Sequence, residues 1–170
     1  MLNKKFLALK TRSYLKKNNT RRANLAYNSA QTIGIIFTVE DVKKHELIKK
    51  FIKNLEEDGK KVSVLTYLPK GMENFEFKFD FFSINEFNFW GKSESQVIRN
   101  FANQSFDYLF YIDTESNIII HNILAMSKAK CRIGGYNKEN SRFCEMMVEG
   151  KEKTVESLLT EMYKYTQLLT

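Results

Sequence analysis

A chain of 170 residues suits a single domain, one able to bury roughly 70% of the surface its unfolded form exposes. Two cysteines exclude a disulfide scaffold, and no apolar run reaches the roughly 20 residues of a helical membrane span. The net charge of +7 is local: eight cations fall in residues 1–22, the first acid is Glu40, and the rest of the chain holds 19 cations against 20 acids.

Residues 3–17 are expected to form a helix. Leu2, Phe6, Leu9 and Ser13 give it a narrow stripe, with Leu7 and Tyr14 beside it. Its cations, continued into the following connector, are Lys4, Lys5, Lys10, Arg12, Lys16, Lys17, Arg21 and Arg22. Asn18-Asn19-Thr20 ends the helix, because Asn accepts turn conformations. The longest apolar run here is Phe6 to Leu9, short of the roughly 7–15 residues of a secretory h-region. A cytoplasmic protein with reduced thiols is expected, free or peripheral to the inner membrane. Residues 1–31 therefore read as a basic helical arm and connector, and residues 32–170 as one α/β domain.

Thr32 to Thr38 is a continuous apolar run, the mark of a strand buried on both faces. Thr38 is positioned to cap the next helix, with Asp41 three residues on. Ile48, Phe51, Ile52 and Leu55 form that helix's apolar stripe, and Gly59 stops it. Lys61 to Tyr67 is a second strand. In Phe75 to Phe81 four phenylalanines alternate with charges, which predicts an edge strand of open direction. Ser93, with Gln96 at the capping-box position, starts a helix whose Val97, Ile98, Phe101 and Ala102 face the core.

The clearest unit follows. Phe106 to Asp113 reads as a strand, Thr114 to Asn117 as a polar turn, Ile118 to Ala129 as a helix and Lys130 to Gly135 as a short strand, which together make a βαβ unit. Phe143 to Val148 is a final short strand, and residues 151–169 form the last helix. The sum is a three-layer Rossmann-like α/β fold with a mostly parallel sheet of about five to six strands. The expected order is 3-2-1-4-5, which places a ligand cleft between the strands ending at Thr38 and Asp113. Candidate cleft residues are Thr38, Asp41, Asp113, Glu115, Ser116, Asn117, Gly134, Gly135 and Arg142. Arg142 can clamp a carboxylate or phosphate, whereas Ser116 or Asn117 can equally be a plain helix cap.

Motifs for catalysis are missing. Gly91-Lys92-Ser93 has Glu86 where a phosphate-binding loop needs glycine, and no Gly-x-Gly-x-x-Gly occurs. His45 and His121 lack ligand partners at metal spacing, and Cys131 and Cys144 fit no redox or zinc pattern. Neither catalytic residue, cofactor nor metal is assigned.

The run Phe106-Asp-Tyr-Leu-Phe-Tyr-Ile-Asp113, with Ala125 to Gly134, resembles the corresponding unit of heptosyltransferase-type glycosyltransferases. The likeness covers about 30 residues of the amino-terminal, acceptor-side domain of that fold. The whole chain is also similar to a set of small uncharacterised bacterial proteins. The family's Gly-Asp pair after the first strand is replaced by Thr38-Val39-Glu40-Asp41, so no catalytic role passes to Asp41. The second, nucleotide-sugar-binding domain has no counterpart here. The resemblance therefore implies the fold and argues against a complete glycosyltransferase. The charge asymmetry points to an anionic partner: RNA or a ribonucleoprotein, bound by a non-catalytic adaptor, ahead of a membrane surface in envelope glycan assembly, and a glycosyltransferase-like small-molecule-binding domain is the further alternative. Phe6 and Tyr14 are the rings expected to stack on bases.

Overall fold

Runs of apolar residues from Thr32, Lys61 and Phe106 become neighbouring strands because a parallel sheet covered by helices on both faces buries every side chain along a strand. In the computed structural model, which describes residues 1–73 and 79–170, β1 (Thr32–Thr38) lies between β2 (Lys61–Tyr67) and β4 (Tyr108–Tyr111). The sheet is completed by β3 (Asp80–Phe82), β5 (Cys131–Gly135) and β6 (Met146–Val148), in the order β3-β2-β1-β4-β5-β6, every pairing parallel. The order reverses between β1 and β4, as expected.

Alternating side chains divide the core. Ile33, Ile35, Phe37, Tyr108 and Phe110 pack with Ile48, Phe51 and Leu55 of α2 (Val42–Glu57) and with Leu158, Leu159 and Met162 of α5 (Val155–Gln167). Ile36, Leu65, Leu109 and Tyr111 point the other way, toward α3 (Gln96–Asn103) and α4 (Ile118–Met126). The helix at the amino terminus, α1 (Lys4–Lys17), joins this second layer with Leu7 only 1% exposed.

Several boundaries differ from the sequence reading. Thr38 is the last residue of β1, and Asp41 caps α2 by accepting the Lys44 N–H. An extended Thr38 at the end of β1 spends its hydroxyl on Asp113, so Asp41, at the right offset from the Lys44 N–H, takes the cap. Ser95, not Ser93, caps α3, while Ser93 pairs with Phe87 in an isolated antiparallel bridge. Phe143 closes a 3-10 turn over Asn140–Arg142, leaving only Met146–Val148 in the final strand. Thr154 caps α5, which therefore starts four residues later than expected. Residues 75–78 of the phenylalanine-rich stretch lie outside the described residues. Its end, Asp80–Phe82, runs parallel to β2, with Leu65 opposite Asp80.

Candidate functional site

The two places singled out by sequence, the strand-end cleft and the basic amino-terminal stretch, meet at the amino end of α1. At the cleft, Asp113 follows β4 and is only 3% exposed. Its Oδ1 accepts the Thr38 N–H (2.9 Å) and the Lys44 ammonium (2.6 Å), and its Oδ2 accepts the Thr38 hydroxyl (2.7 Å). Lys44 is equally buried and also donates to Glu40 at 2.6 Å. Burial pushes the Asp113 carboxyl up from its usual value, against the pull of Lys44 and Thr38. The group is thus tied into a closed network that pins β1, β4 and α2 together.

Lys44 escaped the sequence reading because Lys43, Lys49, Lys50 and Lys53 surround it and suggest a solvated face. A signal existed: Lys44 stands one turn before Ile48, on the same stripe as Phe51 and Leu55.

Asn117 caps α4 through the Ile119 N–H and donates to the Thr38 hydroxyl at 2.9 Å. Its own N–H reaches the Tyr111 hydroxyl at 2.8 Å. Ser116 donates instead to Glu139 at 2.5 Å. Thr38, Asp113, Glu115, Ser116 and Asn117 line one cleft of about 540 Å³, across which Leu2 and Lys4 of the amino-terminal segment lie. Gly135 and Asp113 line a neighbouring hollow of about 340 Å³ beside the start of α5. Gly134 instead packs under Cys144, where an added Cβ would stand 2.7 Å from Sγ. Asp41 is occupied at the α2 cap, and Arg142 opens onto a third groove, beside α1.

Other reactive types are quiet. Burial pushes the Cys131 and Cys144 thiols up to about 11 and about 12. His121 bonds Asn140 Oδ1 at 2.8 Å and stacks on Phe143, with burial holding its pKa below the usual value. Among the described residues no three His, Cys, Asp or Glu side chains are placed to hold a metal, and no helix is long and apolar enough to cross a membrane.

The basic stretch is built into the domain. Leu7 and Thr11 are buried toward α4, and Asn122 of α4 donates to the Thr11 hydroxyl at 2.9 Å. Asn18 extends the contact by donating 2.9 Å bonds to the Ala125 and Ser127 carbonyls. At the other end, Phe6 meets Trp90 edge-on at 4.7 Å and Phe89 at 5.3 Å. Phe6 and Tyr14 are therefore half-buried, and Phe89 and Trp90 are the exposed rings beside the helix. Sequence alone did not single them out.

The cations divide in two. Arg22 is consumed by the Ser127 and Ala129 carbonyls and by Glu145. Lys10 lies over the Tyr14 ring at 5.2 Å. Lys4, Lys5, Arg12, Lys16, Lys17 and Arg21 are exposed, and among the described residues none is paired with a carboxylate. On a helix, Lys5, Leu9, Arg12 and Lys16 share one side, opposite Leu7 and Thr11. No curated protein and no solved structure matches the chain. Residues 3–169 match the family of unknown function DUF6913, and the chain belongs to that family.

Proposed function

We propose that the protein is a non-catalytic RNA-binding adaptor, held to RNA or a ribonucleoprotein by the outward face of α1. The observation that supports this most is the face itself: Lys5, Arg12 and Lys16 stand together with no acid paired to them among the described residues, while the apolar side of the same helix is spent on α4. Unpaired cations on a fixed scaffold neutralise phosphates and release counterions, giving sequence-tolerant binding. Trp90, 61% exposed at the end of α1, supplies a ring on which a base can stack. The membrane alternative draws on Leu2, Phe6, Leu7 and Leu9. Leu7 is buried and Leu2 and Phe6 are half-buried, so Leu9 is the apolar residue left facing outward.

The heptosyltransferase likeness enters this reading as architecture. Asp113, the residue best placed for strand-end chemistry, has both oxygens engaged by Thr38 and Lys44, which supports a structural role over a catalytic one.

Because α1 is packed, deleting it would uncover apolar residues of α4, so the test changes charge and keeps the helix. Full-length protein and a Lys5→Glu/Arg12→Glu/Lys16→Glu variant are used to capture partners from native lysate at low salt, with and without RNase. The proposal predicts RNase-sensitive RNA recovery by the parent and little by the variant. Equal recovery by both would overturn it. Anionic vesicles are run in parallel: vesicle binding without RNA recovery would favour the membrane alternative.

A further inference from the structure

Beside α1 runs a groove of about 680 Å³, which shares Arg12 with the outward cationic face of the helix. Its apolar surface comes from Leu7, Ala8 and Leu15 of α1, Ile118 at the start of α4, and Phe143 after the 3-10 turn. Three cations, Arg12, Lys138 and Arg142, open onto it. Among the described residues none of the three side chains is paired with a carboxylate. Glu139 is the one acid on the lining, and its carboxylate accepts the Ser116 hydroxyl.

We infer that this groove binds a free single-chain alkyl carboxylate, its chain along the Leu15–Ile118–Phe143 floor and its head group between Arg12, Lys138 and Arg142. Three features select that chemistry. The floor is mainly aliphatic, and its two rings, Phe143 and His121, are buried and stacked on each other at 4.2 Å, which leaves little open ring face for a base. His121 is bonded to Asn140, and burial lowers its pKa, which disfavours a positive charge on the floor. The surplus of cations at the rim matches a compact anion, and a guanidinium can grip a carboxylate with two parallel bonds. Ile118, 46% exposed along this groove, is then an apolar side chain with a use rather than an isolated surface residue.

The inference does not depend on RNA binding, although Arg12 serves both surfaces. It is tested by calorimetric titration of the full chain with octanoate, decanoate and dodecanoate, each below its micellar concentration. Decyltrimethylammonium is the control of opposite charge. Affinity should rise roughly fourfold per added methylene, following the transfer free energy of a buried CH₂. Arg142→Ala should weaken decanoate binding at least about tenfold, the loss of one charge-assisted pair. Ile118→Glu, at an exposed position that leaves the core intact, should abolish it, with folding verified by circular dichroism. Flat chain-length dependence, equal binding of decyltrimethylammonium, or an undiminished Ile118→Glu variant would each overturn the inference. So would binding to anionic phospholipid vesicles without binding to monomeric dodecanoate. Lys5→Glu/Lys16→Glu, which leaves the groove untouched, should keep decanoate binding while losing RNA, so the two proposals fail separately.

Discussion

Asp107 illustrates how single residues fasten this sheet. Its carboxylate accepts the Gln31 and Thr32 N–H groups at 2.8 and 3.0 Å and the Lys130 ammonium at 2.8 Å. Burial works against the charged form, but Lys130 and the two backbone donors outweigh it and hold the carboxyl at about 2. A depressed carboxyl contributes stability that is complete above its unfolded value near 3.8 and lost as pH falls through the folded value near 2. Unfolding free energy should therefore drop by about 2 kcal/mol between roughly pH 4 and pH 2. Asp107→Asn should start lower and show a flatter acid limb in urea titrations. An unchanged slope in that window would show that Asp107 is not the responsible group.

The buried pair behind the cleft makes a second residue-scale prediction. Lys44→Met leaves Asp113 buried without its cation and should cost about 3–5 kcal/mol. Lys44→Met/Asp113→Asn should cost clearly less, because the double change removes the charge that would be stranded. Strict additivity of the two single changes in denaturant titrations would contradict the pairing.

Elements differ in how far sequence revealed them. β1, β4 and α4 were legible because burial on all sides leaves an uninterrupted apolar run. The path from β2 to β3 was not, since edge direction depends on pairing between segments, which no local pattern encodes. The same limit applies to α1: its stripe is too weak to announce a partner, and its docking rests on distant groups such as Asn122, Ser127 and Gly91. Gly91 adopts φ +75°, and an added Cβ would stand 2.6 Å from the Leu7 Cα. Gly91→Ala should therefore cost about 1–3 kcal/mol through strain and overpacking. Hydrogen exchange should show α1 amides losing protection before those of α2. Equal protection in both helices would mean that the loop does not hold α1.

At the scale of the whole molecule, charge and fold separate cleanly. A sheet between two helical layers carries nearly balanced charge, and the excess of +7 resides in the amino-terminal segment that the sheet's second layer holds in place. The sequence revealed the excess but not its presentation. It could not distinguish a loose arm from a docked helix, or show that Arg22 is spent on backbone carbonyls while Lys5, Arg12 and Lys16 face outward. Thr38, Asp113, Glu115, Ser116 and Asn117 do line one hollow, and its central carboxylate is engaged by Lys44, a partner hidden among surface lysines.

The most direct measurement is the salt dependence of binding to a fluorescein-labelled single-stranded RNA, followed by anisotropy from 50 to 200 mM salt. Each phosphate neutralised on a single strand contributes roughly −0.7 to the slope of log affinity against log salt. The account predicts a steep slope for the parent, and for Lys5→Glu/Arg12→Glu/Lys16→Glu a weaker affinity with a slope shallower by about 2. Weak, salt-insensitive binding by the parent, or the same slope in both proteins, would contradict it.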